Sequence, residues 1–259
     1  MKVFAVFLVF LVFSFSAFGQ SNVQIERNLV AALKEIQKYS VYAGNYDEEK
    51  IEKAQAVFEE TLLKYTKMSA TLGYKFGELS QLMYVATSDD AKFRIYSWDL
   101  EDGGTMHNFA RVYQYLGADG KVYSITDKLE EGDPGSFVYD IFSLDAVGDK
   151  VYIVCSNFIG STQDHGQSAD LYQIAGSELK DKVKLIKTKS GLTDTLNFGY
   201  NFFSIVDRSE RPVKLISFDR KTKTLKIPVV IEDKEFPNGR VTNRFISYRF
   251  DGKYFVKAN

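Results

Sequence analysis

The side chains able to do acid–base or nucleophilic chemistry are few in this sequence. It contains two histidines, His107 and His165, and one cysteine, Cys155. Hydrolysis by a hydroxyl nucleophile needs a serine beside a histidine that a carboxylate orients, whereas a zinc site needs three or four His, Cys or carboxylate ligands. The sequence therefore leaves hydrolysis open, and we expect no metal and no cofactor.

The first candidate segment is GSTQDHGQSAD, residues 160–170, where polar residues crowd together. Ser161, Asp164 and His165 are the residue types of a hydrolytic site. However, the Gly-x-Ser-x-Gly turn that often holds a nucleophilic serine does not occur in the sequence. We therefore interpret the segment as a long exposed connector and keep hydrolysis by these three residues as the alternative.

The second candidate segment is KFRIYSWDLEDGGTMHNFAR, residues 92–111, which holds the only tryptophan. An aromatic ring beside polar acceptors can bind a sugar ring or a peptide by stacking and hydrogen bonding. The candidate ligand-binding residues are Tyr96, Trp98, Asp99, Asp102 and His107. The competing interpretation places Trp98 in the core, at the end of a strand.

Cys155 lies in the apolar run VYIVCSNF and has no second cysteine to pair with. Burial in an apolar strand raises the pKa of a thiol and makes it less reactive. We expect a buried, inert side chain rather than a nucleophile.

The N-terminus has the pattern of a secretory signal. Lys2 precedes an apolar run at 3–13, and small residues follow up to Gly19. The apolar run is shorter than the roughly 20 residues that a spanning helix needs. We expect cleavage after Gly19 and export of a bacterial protein to the periplasm or the cell exterior, with no membrane span afterwards.

The charge balance argues against a nucleic-acid partner. The chain has 33 basic and 34 acidic residues and a formal net charge of −1. A protein that binds a phosphate backbone normally carries a basic stripe, and none occurs here. Hydrophobic residues make up 45 % of the chain, which is enough for a substantial core.

Apolar residues at helical spacing predict two helices in the N-terminal part. Ile25, Leu29, Leu33 and Ile36 share one face of the first, and a break at 40–46 precedes the second. Asp47 is a suitable N-terminal residue for the second helix, because carboxylates favour that end. Two amphipathic helices joined by a short turn predict a helical hairpin.

Short apolar or alternating runs follow, and turn dipeptides join several of them. Asp119-Gly120, Gly148-Asp149, Asn238-Gly239 and Asp251-Gly252 favour hairpin turns between sequence-adjacent strands. Pro228 predicts that its run is at best an edge strand. The predicted strands are 82–86, 93–98, 111–116, 122–125, 137–144, 151–158, 171–175, 183–187, 202–206, 213–218, 225–231, 244–250 and 254–256.

These patterns predict an α+β fold with an N-terminal α-helical hairpin followed by a large antiparallel β-meander domain. The meander could be propeller-like, a barrel or a sandwich. The expected organisation is a signal peptide at 1–19, the hairpin at 20–70 and the β domain at 71–259.

The predicted function is that of an exported, non-catalytic binding or interaction module. Export, aromatic-rich strands and the missing catalytic motifs favour it. Its partner could be a glycan, a peptide or an envelope protein. The alternative is a secreted hydrolase that uses carboxylates or His165 in a cleft of the β domain.

Overall fold

The computed structural model describes residues 20–146 and 150–258. They form two long helices and one short one, followed by strands in three sheets, which confirms the α+β fold with a large antiparallel β region. The helices are α1 (Asn22–Lys38), α2 (Glu48–Thr66) and α3 (Ser69–Leu72). The strands are β1 (Tyr84–Thr87), β2 (Phe93–Asp99), β3 (Phe109–Leu116), β4 (Val122–Thr126), β5 (Phe137–Asp145), β6 (Lys150–Ile159), β7 (Asp164–Ala175), β8 (Glu178–Lys180), β9 (Ile186–Thr188), β10 (Gly191–Thr193), β11 (Thr195–Asn201), β12 (Ser217–Asp219), β13 (Thr224–Ile231), β14 (Arg240–Phe250) and β15 (Phe255–Ala258).

Each helix of the hairpin begins at a side-chain cap. Ser21 Oγ accepts a hydrogen bond from the backbone N–H of Gln24, and Asp47 Oδ1 accepts one from that of Lys50. Such caps satisfy backbone donors that have no partner within the helix. The stripe predicted for α1 is buried along its whole length, from Ile25 to Ile36.

The three sheets stack in sequence on the hairpin. The first sheet has the strand order β1-β2-β3-β4, and the middle sheet has the order β11-β7-β6-β5 with β8 paired to β7. The third sheet has the order β10-β9-β15-β14-β13-β12. Neighbouring strands are sequence-adjacent and antiparallel except in two pairs. β11 pairs with β7, and β15 pairs in parallel with β9, so these two pairings join strands that are remote in sequence.

The first sheet separates two apolar cores. Tyr96 and Trp98 on β2 pack with the helices, whereas Phe93 and Ile95 on the same strand pack with the middle sheet. Successive side chains of a strand point to opposite faces, so this alternation follows from the strand geometry. The first sheet therefore holds the hairpin against the rest of the β region.

The middle sheet is buried on both faces along β6. Tyr152 and Val154 pack toward the first sheet, and Val151, Ile153 and Cys155 pack toward the third. A strand covered on both faces is apolar without alternation, which explains the run VYIVC. Cys155 is fully buried, as predicted, and burial raises the pKa of its thiol well above the usual value.

Hydrogen bonds in the apolar interface join the hairpin to the first sheet. Gln114 on β3 is fully buried; its Nε2 donates to Thr66 O (2.7 Å) and Thr71 Oγ1 (2.8 Å), and its Oε1 accepts from Tyr96 Oη (2.9 Å). Arg94 Nη1 donates to the carbonyl of Thr71 (2.9 Å). These bonds tie the end of α2 and the short helix α3 to strands β2 and β3.

Three of the predicted hairpin turns are confirmed. Gly120, Gly239 and Gly252 have positive φ angles of 77°, 113° and 106°, in the connections β3–β4, β13–β14 and β14–β15. Glycine adopts this backbone region without a steric penalty. The turn predicted at Gly148-Asp149 lies outside the described residues.

Two predictions about local structure are wrong. The connector predicted at 160–170 is a tight turn followed by the first half of β7, which begins at Asp164. The strand predicted at 202–206 is a 3₁₀ helix, Phe202–Ile205, and the strand before it, β11, was not predicted. The first half of β7 is polar on both faces, so it lacks the apolar alternation by which strands are recognised. Strand β11 does alternate, with Leu196, Phe198 and Tyr200 on one face, and this pattern was missed.

The prediction of an edge strand around Pro228 is also wrong. Strand β13 lies between β12 and β14. However, β12 reaches only as far as Lys226, and the register with β14 shifts between Pro228 and Val230. The proline therefore lies beyond the last pair with β12, so on that side its missing N–H costs no ladder hydrogen bond.

The predicted signal peptide at 1–19 lies outside the described residues, and the predicted division into domains stays a prediction. Among the helices that the structure describes, none is long and apolar enough to cross a membrane.

The contacts of Gln114 generate a stability prediction. We expect Gln114→Leu to lower the free energy of unfolding by about 2–4 kcal/mol, because it leaves several buried polar groups without a partner. Chemical denaturation measures this loss. The control is Gln81→Leu, since Gln81 is exposed, and it should change the free energy of unfolding by less than about 0.5 kcal/mol. Equal stability of the two variants would contradict the role assigned to Gln114.

Candidate functional site

The candidate site lies on strand β7, whose N-terminal half is polar on both faces. Gln167 points to one face, and Gly166, Ser168 and Asp170 lie on the opposite face by strand alternation. The two faces of this part of β7 have different surroundings. One holds a buried network that fixes the strand, and the other forms an open groove.

The buried network is centred on Gln167, which is 2 % exposed. Its Oε1 accepts from Tyr139 Oη (2.8 Å), and its Nε2 donates to Asn157 Oδ1 (3.2 Å) and to the carbonyl of Val213 (2.7 Å). Asn157 Oδ1 also accepts from Tyr200 Oη (3.0 Å). These bonds join β5, β6, β7 and β11 below the groove, and a satisfied buried network of this kind rigidifies its surroundings.

The open face of β7 and β11 forms a cavity of about 730 Å³, which we name the polar groove. Gly166 lies opposite Gly199 in the strand pairing, so this part of the floor has no side chains. The volume falls within the range of roughly 300–1,000 Å³ that is typical of small-molecule sites. The side chains around it include Arg111, Asp133, Ser156, Phe158, Asp164, Ser168, Asp170, Asp181, Lys182, Asp194, Thr195, Asn197 and Asn238.

A chain of hydroxyl groups leads to a carboxylate on the groove wall. Ser156 Oγ and Ser168 Oγ are 2.8 Å apart, and Ser168 Oγ donates to Asp170 Oδ2 at 2.5 Å. Burial raises the pKa of the Asp170 carboxyl above its usual value, although hydrogen bonds from Ser168 and Thr195 act in the opposite direction. Ser168 is therefore oriented by a carboxylate and not by a histidine.

The charge of the groove is negative. Five aspartates line it, against the two cations Arg111 and Lys182. Arg111 is already neutralised, because its Nε donates to Asp127 Oδ2 at 2.6 Å. An anionic ligand would therefore meet mostly carboxylates, whereas a neutral ligand with hydroxyl groups would find many acceptors.

An aromatic ring stands beside the glycine floor. Phe158 on β6 lies opposite Gly166 and is 37 % exposed. A Cβ placed on Gly166 would lie 3.7 Å from the Phe158 ring, so the ring lies directly beside this part of the floor. Stacking on an exposed ring and hydrogen bonds to polar side chains are thus available in the same groove.

Tyr96 and Trp98, predicted from the sequence as ligand-binding residues, lie in the core. They are 0 % and 1 % exposed, and Trp98 meets Phe58 of α2 edge to face at 5.0 Å. The competing interpretation, a core tryptophan near a strand end, describes this position. A binding role for these two rings stays a prediction.

The other three residues of that segment form a surface cluster with the hairpin. The His107 ring is hydrogen-bonded through Nδ1 to Asp99 and stacks on Tyr42 at 5.6 Å. Asp102 Oδ1 accepts from Asn108 Nδ2 at 2.8 Å. The hydrogen bond to Asp99 raises the pKa of His107. These contacts fasten the 99–108 loop to the turn between α1 and α2.

Ser161, Asp164 and His165 are close together, but their contacts are those of a hairpin turn. Ser161 Oγ donates to Asp164 Oδ2 at 2.8 Å, and Asp164 Oδ1 accepts from Asn238 Nδ2 at 2.6 Å. The His165 ring stacks on Phe202 at 4.7 Å. Within the described residues, no hydrogen bond joins the Ser161 hydroxyl to the His165 ring.

The two histidines, 58 positions apart, meet near the end of the middle sheet. His107 N–H donates to the carbonyl of Ile159 (3.1 Å), and Ile159 is paired with His165. Burial lowers the pKa of His165, and the nearby His107 lowers it further. The fold therefore shifts the two pKa values in opposite directions.

Most groove residues were not predicted from the sequence. Asp170 and Ser168 lay in the predicted connector, and Asn197 and Gly199 lay between predicted strands. The pairing of Gly166 with Gly199 depends on β11 returning to β7 from 20 or more residues away. The only available signal was the concentration of small and polar residues in 160–170.

No set of three or more His, Cys, Asp or Glu side chains in the described parts of the chain is arranged to hold a metal ion. Comparisons of the chain with protein-family models, with curated proteins and with solved structures gave no match.

The opposite shifts of the two histidines give a titration prediction. By NMR, the C2 proton of one histidine should titrate above pH 6.5, the usual value, and that of the other below it. The raised pKa of His107 stabilises the fold below pH 6.5, and this contribution is lost as the pH rises through the folded pKa. The lowered pKa of His165 destabilises the fold as the pH falls below 6.5.

Asp99→Asn assigns the two signals and serves as the control. It should lower the pKa of His107 and leave that of His165 almost unchanged, because Asp99 is hydrogen-bonded to the His107 ring and not to the His165 ring. Two signals that titrate together near pH 6.5 would rule out the arrangement described.

Proposed function

We propose that the protein is an exported binding protein that takes a neutral, polyhydroxylated ligand, such as an oligosaccharide, into the polar groove. The observation that carries the proposal is the combination of a side-chain-free glycine floor with an exposed phenylalanine and a wall of hydrogen-bonding side chains. Sugar rings present an apolar face and a rim of hydroxyl groups. In the groove, the phenylalanine ring can pack against the apolar face, and the wall can hydrogen-bond to the hydroxyl groups.

Hydroxyl recognition is supported by the acceptors on the wall. Asp194, Asn197 and Asn238 line the groove, and Asn197 is exposed. Carboxylate and amide oxygens accept from hydroxyl groups, and amide N–H groups donate to them. The excess of aspartates disfavours phosphorylated or acidic ligands, so the proposal is restricted to neutral sugars.

Preorganisation supports binding in this groove. The network around Gln167 and Asn157 holds β6, β7 and β11 together beneath the floor. A site that is rigid before the ligand arrives loses less conformational entropy on binding. We therefore expect little backbone movement when the groove is filled.

Export is a further part of the proposal. It rests on the signal-like pattern at 1–19, with Lys2 before an apolar run and small residues before Gln20. An exported protein meets glycans of the cell envelope and the surroundings. The location and the proposed ligand class are thus consistent with each other.

The second candidate function is hydrolysis of a glycosidic bond in the same groove. Asp170 favours it, because burial raises the pKa of its carboxyl and Asp194 raises it further. A protonated carboxyl is what a glycosidase uses as its general acid, with a second carboxylate nearby. The hydroxyls of Ser161 and Ser168 donate to aspartates, so a serine-based mechanism has less support.

Filling the glycine floor tests the binding proposal. Gly199→Leu should weaken oligosaccharide binding at least about tenfold, since the added side chain occupies ligand space. Gly199 has no positive φ, and a Cβ there meets only His165 O at 3.8 Å, so the fold should tolerate the change. A glycan screen followed by calorimetry on the best neutral ligand measures the effect.

The matched control is Gly77→Leu, at an exposed position where a Cβ meets nothing within 4 Å. It should bind as the unmodified protein does. Equal affinity of both variants, or no neutral glycan bound, would contradict the proposal. Release of reducing sugar that Asp170→Asn abolishes would favour the hydrolase instead.

A further inference from the structure

A second cavity lies on the opposite face of the middle sheet. It has a volume of about 310 Å³, and we name it the aromatic pocket. Each of the four strands in the main path of the sheet contributes to it: Phe137 from β5, Asn157 from β6, His165 from β7 and Tyr200 from β11. The rest of the lining comes from β1, the 3₁₀ helix and the segment 211–213.

Aromatic rings in near-parallel pairs line this pocket. Tyr84 and Phe137 stack with centroids 3.8 Å apart and planes 10° apart, and His165 and Phe202 stack at 4.7 Å and 24°. Pro212 adds a further apolar surface. Phe137 and Tyr200 are buried, whereas Tyr84, His165 and Phe202 are partly exposed. A planar ring in the pocket can stack on these partly exposed rings or meet them edge to face.

The charges around the pocket disfavour a cation as its occupant. No carboxylate is among its described lining residues, and Arg211 is the one permanent cation. The Arg211 guanidinium is engaged, because Nη1 donates to the carbonyls of Arg208 (2.5 Å) and Glu210 (2.7 Å), and Nη2 donates to that of Val206 (3.1 Å). A neutral ligand therefore fits best.

Two polar groups on the wall can hydrogen-bond to such a ligand. Asn157 is 4 % exposed, and its Nδ2 donates to the carbonyl of Phe158 at 3.2 Å, which uses one of its two N–H groups. His165 is neutral at pH 7, since burial lowers its pKa. One nitrogen of a neutral imidazole accepts a hydrogen bond, so His165 can accept a hydrogen bond from a hydroxyl group of the ligand.

We infer that the aromatic pocket binds a small neutral aromatic ring that carries a hydroxyl group, that is, a phenol. This inference does not rest on the oligosaccharide proposal, because the pocket lies across the sheet from the glycine floor. His165 and Tyr200 border both cavities, so a ligand in one cavity can change the affinity of the other cavity for its ligand.

Titration of the full mature chain with phenol, followed by ¹H–¹⁵N NMR, tests the inference. Phenol should shift a saturable set of signals around 157, 165, 200 and 202. Cyclohexanol has a similar size and the same hydroxyl but no ring, and it should bind at least about threefold more weakly if aromatic contacts matter. Benzylammonium should bind more weakly still.

Substitutions distinguish phenol binding in the aromatic pocket from binding at the nearby surface. Phe202→Leu should weaken phenol binding by about threefold to tenfold, because it removes one stacked ring. Phe203→Leu is the matched control: Phe203 follows directly, is 48 % exposed and does not line the pocket, so affinity should not change. Tyr84→Leu, on a different element, is the second test variant if Phe202→Leu fails to fold.

Three results would overturn the inference. They are equal binding of phenol and cyclohexanol, equal loss in the Phe202 and Phe203 variants, and tighter binding of benzoate than of phenol. The last result would mean that Arg211 recognises an anion there. A glycan that still binds while phenol does not would leave the proposed function standing.

Discussion

The burial of strand β6 on both faces is the constraint on which the rest of this structure depends. From Val151 to Cys155 each side chain packs either toward the first sheet or toward the third. The apolar area removed from water along this strand holds the three sheets as layers. The helical hairpin is added on the outside of the first sheet, through Tyr96, Trp98 and the hydrogen bonds of Gln114.

After Cys155, strand β6 is no longer continuously apolar. After Cys155 come Ser156, Asn157 and the exposed Phe158, and the partner residues on β7 are polar as well. A strand can be polar there only if its buried groups are paired, since an unpaired buried amide costs about 1–3 kcal/mol. The contacts of Gln167 and Asn157 meet this condition on one face. The other face is then free to form the polar groove.

The sequence was informative where one physical rule decided the structure. The i, i+4 stripe of α1 and the Asp-Gly turns around Gly120 and Gly252 follow from local geometry alone, and they were predicted correctly. The fold class followed from the same local patterns. Trp98 shows the limit of such reasoning, because a lone aromatic at a strand end has the same sequence pattern in a core and in a binding site.

The groove could not be predicted in the same way. Its floor depends on Gly166 facing Gly199, and its wall on Asp170 facing Thr195, which are pairings of β7 with a strand that is remote in sequence. The N-terminal half of β7 is polar on both faces and lacks the alternation that marks an amphipathic strand. Ser161, Asp164 and His165 were recognised as a cluster, yet their roles in a turn and in ring stacking came from long-range contacts with Asn238 and Phe202.

The central claim is that the face shared by β7 and β11 is where this protein meets its ligand. Hydrogen exchange read by mass spectrometry, with and without a saturating neutral oligosaccharide, tests it most directly. The account predicts added protection confined to residues 164–170 and 195–201. Protection in 99–108 instead, or no change anywhere in the presence of a bound glycan, would contradict it.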